Sequence, residues 1–583
     1  MVIKNKAFGR RQSRKAVVLF LLLPLMILSF TVDGQADVSV SSVERASLGT
    51  GGVEGNLDSY YLSVSENASV VAFESFVSNW GPDQADLNFV DIFTRNRATN
   101  TTRKISVGPN GEQADQRSFD PTVSANGRYV SFISYATNLV PNDTNREPYV
   151  DNGLDVFLYD WVTNGLQRVT LNWDGQQIDG NSVGTITPDA KYLVFSSNGI
   201  DVESTPSNGN RASAIYVRDL QTGAIERITK GANGAYPNDT VVAAVPSYDG
   251  RFIVYLSDAT NLVANDTNGV RDVMLYDRQT QQTTLVSKPV GGGQSNGISS
   301  PAVISSDGRY IAFRSFATNL VPGDTNGKSD VFVYDRILGT LELVSVSSTG
   351  ALGNQDSKDP AICGNGRFVS FTSEATNLVT LAHNGERQVY VYDRVTKTTA
   401  LVTGTDTFMG NGRAHRSTLS ADCSTIGFST EASNMIANDN NGVRDLFVAD
   451  VTVPADLTRS TMTASGGFAP GAEVTYTFTL ENMGTETAVV TFNSPIPANT
   501  TYVAASATGG ASYNGSANAV QWNGNVPGEG EIVISYTVMV NPALVDFTLI
   551  GNQTQATYGS KTEMLTLTFA VNGLTLFLPL ASR

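Results

Sequence analysis

The chain has 583 residues, with 39 Lys and Arg against 55 Asp and Glu and a formal net charge of −16. A surface this acidic repels phosphate backbones and anionic headgroups, which excludes nucleic acid and anionic membrane as expected partners. Two histidines and two cysteines in the whole sequence leave little material for His-based hydrolytic triads or for many metal centres.

Residues 1–34 read as a secretory signal: Lys4, Lys6, Arg10, Arg11, Arg14 and Lys15 precede an apolar run from Ala16 to Phe30. That run is shorter than the roughly 20 residues a membrane span needs, so cleavage near Gly34 or Ala36 is expected to leave no transmembrane segment. No Cys stands near the cleavage point, which argues against a lipid anchor. Removing the segment takes away six positive charges and Asp33, moving the net charge from −16 to −21.

From residue 35 to 453 one strand pattern, Asp-Val-Phe-Val-Tyr-Asp, recurs seven times. Its copies begin at Asp91, Asp155, Ala214, Asp272, Asp330, Gln388 and Asp445, at offsets of 64, 59, 58, 58, 58 and 57 residues. A period of this size means one small antiparallel sheet per repeat, unable to bury its faces alone. The fifth repeat shows four strands: Pro301 to Ile304, Tyr310 to Phe313 after an Asp307-Gly308 turn, Val331 to Tyr334, and Leu341 to Val344. The middle two are apolar almost continuously, as a sheet covered on both faces requires. Sheets stacked around an axis, a seven-bladed β-propeller, are therefore predicted. The seventh repeat ends one strand short after Leu446-Phe447-Val448, while Ser42 to Ser47 resembles the end of the fifth repeat at Leu343-Val344-Ser345. The N-terminal strand is expected to complete the seventh blade and remove the ring's open edges.

Ser305-Ser306-Asp307-Gly308-Arg309-Tyr310-Ile311-Ala312-Phe313 resembles the strand-turn-strand core of TolB-type, WD-repeat-like propeller repeats in exported bacterial proteins, and the likeness covers residues 39 to 453. Ala-Thr-Asn-Leu-Val recurs within it at Ala136, Ala259, Ala317 and Ala375, with a variant at Ala432. TolB itself has six blades behind an α/β domain that is absent here, so its partners do not carry over.

Between second and third strands lies a pattern with possible site chemistry. Asp266, Asn268 and Asp272 recur as Asp324, Asn326 and Asp330 and as Asp439, Asn441 and Asp445, each with a Gly after the Asn, and Asp143, Asn145, Asp151 and Asp155 form a longer variant. Oxygen ligands at positions one, three and seven around a sharp turn suit a hard cation such as calcium. The plainer reading is turn capping, since Asp and Asn bond their own backbone. Ser207-Asn208-Gly209 and His383-Asn384-Gly385 break the pattern in the third and sixth repeats. This acidic, Asn-rich loop face is the expected surface for ligand contact.

Cys363 ends the first strand of the sixth repeat and Cys423 stands in the first turn of the seventh, at similar heights on neighbouring blades. A bond between them would close a loop of about 60 residues, worth roughly 4 kcal/mol in the chain-entropy model; two unpaired thiols are the alternative. His383 and His415 are expected in surface loops. Gly293-Gln294-Ser295-Asn296-Gly297 matches a nucleophile-elbow string but has no helix after it. Asp359, placed just before a first strand, is readable as a turn cap or as an acid in a propeller channel.

Beyond Pro454, Val474 to Leu480 and Ile532 to Val538 alternate at period two between Gly and Pro clusters, which predicts an immunoglobulin-like β-sandwich over 454–571. Ala455-Asp456-Leu457-Thr458, Glu481-Asn482-Met483-Gly484 and Val520-Gln521-Trp522 resemble a bacterial surface-protein repeat whose modules act as spacers. Residues 572–583 form an apolar tail, read as a last strand or a sorting signal. The expectation is an all-β secreted or cell-surface binding scaffold whose partner is an extracellular protein or glycan. The alternative is an enzyme acting on polysaccharide or peptide in the channel.

Overall fold

A computed structural model describes residues 38–80, 89–144, 153–204, 213–231, 234–405 and 407–572. The predicted signal segment, most of the apolar tail, Asn145, Asp151 and Ser207-Asn208-Gly209 lie outside them. The described residues fall within one unit, Ala36–Arg583. Every regular element named among them is a strand, and no helix is long and apolar enough to cross a membrane.

Seven four-stranded antiparallel sheets follow one another from Ser39 to Thr452. The fifth consists of Ser299–Ile304, Tyr310–Ser315, Asp330–Asp335 and Thr340–Leu343, hydrogen-bonded in that order. Its middle strands run from Tyr310 opposite Asp335 to Ser315 opposite Asp330. That register puts Phe313 on Phe332, with ring centroids 5.8 Å apart, and the same stack recurs as Phe132–Phe157, Phe195–Tyr216, Phe371–Tyr390 and Phe428–Phe447. With Phe73–Phe93 in the first sheet, the repeated aromatics form a spine inside six of the seven sheets, each pair worth about 1 kcal/mol beyond its burial, while the fourth places Tyr255 opposite Met274.

Neighbouring sheets share their cores. Phe252, Val254 and Leu275 of the fourth pack with Ile311, Phe313 and Phe332 of the fifth, and Leu446 and Val448 of the seventh pack with Val71, Phe73 and Phe93 of the first. Where the third sheet meets the fourth, the Ser213 hydroxyl donates to the Val241 carbonyl; at the other six steps one backbone hydrogen bond runs from the amide opening a first strand to the carbonyl just before the previous sheet's third strand. It appears as Ser118 to Val90, Ser182 to Leu154, Ser299 to Arg271, Ser357 to Ser329 and Ala414 to Arg387, and again as Ser59 to Arg444. The seventh sheet is thus joined to the first by the same bond that joins most of the others.

The N-terminal strand Ser39–Arg45 pairs antiparallel with Asp445–Thr452, with Ser39 opposite Thr452 and Arg45 opposite Phe447. Its imitation of a fourth strand extends to side chains. Ser47 Oγ donates to Asp445 Oδ1 at 2.6 Å and accepts from the Leu446 amide, as Ser345 does with Asp330 and Val331.

The Asp-Gly-Arg turn has a packing reason. Asp307 accepts from the Ser305 hydroxyl and the Arg309 amide, and Arg309 returns to Asp335 at the end of the third strand, 2.8 Å away. Gly308 has φ +70°, and a Cβ there would lie 2.3 Å from the Phe252 ring of the preceding sheet, so two constraints select glycine.

After Val453 two further sheets enclose one core. The first runs Thr461–Gly466, Glu473–Glu481, Glu531–Val540, Thr500–Tyr502; the second runs Ser512–Asn514, Ala519–Val526, Ala488–Pro495, Leu549–Tyr558, Lys561–Ala570. Glu473–Glu481 buries alternate residues, and Tyr476, Phe478, Phe492, Ile534 and Tyr536 meet inside. Arg367 ties this pair of sheets to the sixth sheet, bonding Asp393 at 2.8 Å and Glu529 at 2.9 Å. The Val453 amide donates to Thr485 Oγ1 at 2.8 Å.

Candidate functional site

The polar loops between second and third strands are largely occupied with one another. Thr318 donates its amide to Asn296 Oδ1, Asn296 donates its side-chain amide to Thr318 Oγ1, and Asn319 donates to the Gln294 carbonyl. The same clasp forms at Asn354 with Thr376 and Asn377, and at Asn411 with Ser433 and Asn434. Ala317 and Leu320 of the same motif are buried. Ala-Thr-Asn-Leu-Val is therefore a fastener between each loop and the connection before it, and this part of the Asn-rich face has its hydrogen bonds already made.

Below the clasps lie the predicted cation residues. Asp272 and Asp330 open their third strands fully buried. Asp330 accepts from Ser345 at 2.6 Å and from Asn326 at 2.8 Å; Asp272 accepts from Ser287 at 2.6 Å and from Asn268 at 3.0 Å. Burial raises both carboxyls, that of Asp330 to about 6. Asp324 is 6% exposed and Asp266 8%. Both carboxylate oxygens of Asp324 and Oδ1 of Asp266 are enclosed without a hydrogen-bonding partner in the protein.

The third predicted set differs. Arg45 Nη2 lies 2.6 Å from Asp439 and its Nε 3.5 Å from Asp445, with Glu54 also on the guanidinium. At Asp439, Asn441 and Asp445, expected to hold calcium, the positive charge between the carboxylates is a side chain from the N-terminal strand, and Glu54, Asp439 and Asp445 bring three carboxylate oxygens within 4.8 Å of one another. At the second sheet Arg168 holds the same position, 3.3 Å from Asp143 and 3.8 Å from Asp155.

The inner strands carry a second candidate, a cavity of about 490 Å³ bounded by residues of all seven. The third residue of each first strand faces it: Tyr61, Asp120, Gly184, Ala243, Pro301, Asp359 and Arg416. Pairing slips at this position in six of those strands, and Asp120, Ala243 and Asp359 have φ of 50°, 55° and 52°; such bulges re-aim a side chain. Asp359 therefore stands inside Ser357–Ile362, not before the strand, and is a channel residue with Thr372 Oγ1 at 3.3 Å. Arg416 stacks over Tyr61 at 4.0 Å. His415 is also in an inner strand and bonds Glu431 at 2.8 Å, which corrects its expected loop placement. Ser295 is buried, with its hydroxyl on the Gly297 carbonyl, and forms no elbow.

Glu74 was not singled out from the sequence. It occupies the second-strand position where other repeats carry Ile133, Leu256 or Thr372, is 4% exposed, and accepts the Asp120 amide at 2.7 Å. Burial is the largest influence on its carboxyl and raises it from 4.5 to about 8. The folded protein then keeps a proton that the unfolded chain releases from about pH 4.5 upward. This contribution to stability is complete below that pH and is lost as pH rises through 8. Each unit is worth about 1.4 kcal/mol, so chemical denaturation is expected to show stability falling by a few kcal/mol between pH 5 and 9. Glu74→Gln, which keeps an acceptor for Asp120 and no titrating group, is expected to flatten that fall.

No protein-family model matches the chain, and no curated protein matches it. Among solved structures, a prolyl endopeptidase is 12% identical over 72% of this chain and 54% of its own, with a TM-score of 0.43. A putative TolB from Agrobacterium tumefaciens is 14% identical over 60% of this chain and 95% of its own, with a TM-score of 0.32. The WD40 repeats of RRP9 are 8% identical over 71% and 97%, with a TM-score of 0.37. The chain spans about half the length of the prolyl endopeptidase, and the activity in that name belongs to that protein.

Proposed function

We propose that the protein is a secreted or cell-surface binding scaffold: a seven-bladed β-propeller closed by its N-terminal strand, followed by an immunoglobulin-like sandwich, that receives an extracellular protein segment or glycan in its channel. One observation carries this reading. The repeats keep nearly the same residue wherever a clasp, turn or spine is needed, yet the third residue of the inner strand is different in almost every sheet, from Tyr61 through Asp120, Pro301 and Asp359 to Arg416. A ring of unlike groups suits one asymmetric ligand, with two carboxylates, a guanidinium and a phenol to orient it among Pro, Ala and Val. The clasped loops favour the channel over the acidic loop face expected from the sequence. The test is binding to glycan and peptide arrays by the wild type and by the Asp120→Asn, Asp359→Asn double variant. Loss of the captured ligand in the variant supports the reading; undiminished capture contradicts it.

A second reading, an enzyme acting on polysaccharide or peptide, is favoured by Glu74. Burial raises its carboxyl to about 8, and it accepts the backbone amide of Asp120, whose own carboxyl burial also raises; two neighbouring carboxyls are the pairing that acid–base chemistry uses. Turnover of chromogenic glycosides or peptides, abolished in Glu74→Gln, would establish it. Absence of turnover with intact binding leaves the scaffold.

A further inference from the structure

Every repeat brings the last residue of its fourth strand toward the first residue of its third. In the first sheet Lys104 meets Asp91 at 2.6 Å. In the second Arg168 meets Asp143 and Asp155, and in the seventh Arg45 meets Asp439 and Asp445. In the third, Ala214 replaces the carboxylate and Arg227 pairs with Glu203 at 3.0 Å instead. In the sixth, Gln388 stands opposite Leu401, both uncharged. In each of these five either a cation faces the carboxylates or, in the sixth, neither side is charged.

The fourth and fifth sheets break the rule. Their fourth strands end in Leu285 and Leu343, while Asp266 with Asp272 and Asp324 with Asp330 keep both carboxylates. All four are more than nine-tenths buried. The groups that bond Asp272 and Asp330 are the neutral Ser287, Asn268, Ser345 and Asn326, and no ion pair to any of the four carboxylates is found among the described residues. Two buried charges of one sign without a counter-charge cost several kcal/mol. The unpartnered oxygens of Asp324 and Asp266 face the place where the other repeats hold a cation.

We propose that the fourth and fifth sheets each bind one calcium ion, held by Asp266 with Asp272 and by Asp324 with Asp330, in the position that Arg168 and Arg45 fill elsewhere. Two carboxylates balance a divalent ion, and an all-oxygen donor set without thiol or imidazole selects a hard cation. Calcium tolerates irregular loop ligands where magnesium demands a near-ideal octahedron. This inference does not depend on the channel ligand.

The test is calorimetric titration of the chelator-stripped full chain with CaCl2 near pH 7.5, with MgCl2 as comparator. Two calcium ions per chain are expected, with magnesium weaker. Leu343→Arg, which supplies the missing guanidinium, and Asp324→Asn are each expected to leave one ion; Leu285→Arg with Leu343→Arg should leave none, while Asp439→Asn keeps both. A wild-type count other than two, or retention of both ions by Asp324→Asn, overturns the proposal even if an arginine variant misfolds.

Discussion

Deletion of residues 1–46 is expected to abolish cooperative folding, whereas deletion of 1–37 leaves the unfolding midpoint unchanged. The first deletion removes the strand Ser39–Arg45 from Asp445–Thr452 and exposes Leu446, Phe447 and Val448 on an open edge. It also removes Arg45 from Asp439 and Asp445, whose side chains are nearly inaccessible. Breaking one buried pair in this way costs about 3–5 kcal/mol, already a large part of the roughly 5–15 kcal/mol that stabilises a domain. The apolar cluster joining the seventh sheet to the first, which includes Ala46, goes with it. Circular dichroism and size exclusion separate the outcomes: aggregation or loss of a sharp transition for the longer deletion, and native behaviour for the shorter. A longer deletion that unfolds like the intact chain would mean that the ring holds without its closing strand.

Removing the bond between Cys363 and Cys423 is expected to cost about 4 kcal/mol in the chain-entropy model, for a loop whose ends are 60 residues apart. Cys363 and Cys423 are buried in the cluster shared by the sixth and seventh sheets with Phe368, Ile426 and Phe447. The bond therefore crosses the junction next to the one closed by the N-terminal strand. Denaturant titration of the Cys363→Ala, Cys423→Ala variant against the oxidised chain measures the loss. Because both devices support the seventh sheet, combining the variant with Arg45→Met is expected to cost a different amount from the sum of the two. An unchanged midpoint on reduction would show that the two thiols contribute nothing as a bond.

Much of this architecture was legible because one pattern is written repeatedly. The Asp-Val-Phe-Val-Tyr-Asp copies marked the third strands, Asp307-Gly308 marked a hairpin, and the short seventh repeat pointed to Ser42–Ser47 as its completion. The bond between Cys363 and Cys423, open on sequence alone, is formed. What escaped depends on side chains meeting from distant strands. Asp439, Asn441 and Asp445 match the other two sets residue for residue, and only Arg45, at the opposite end of the chain, distinguishes them. The Ala-Thr-Asn motif looks like a polar recognition surface until its hydrogen bonds are traced to Asn296 and Asn354. Asp359 was misplaced because a bulge hides inside an inner strand whose pattern is irregular. Glu74 is an ionisable residue in a second strand that is otherwise apolar or small in most repeats, so alignment of the repeats exposes it, as it does Arg314.

Hydrogen exchange of the native chain tests the proposed closed ring most directly. Backbone amides of Ser39–Arg45 are predicted to be protected to the same degree as those of Asp445–Thr452 and of the inner sheets, since opening either requires opening the ring. Exchange of Ser39–Arg45 at the rate of a free peptide, with Asp445–Thr452 still protected, would contradict closure by the N-terminal strand.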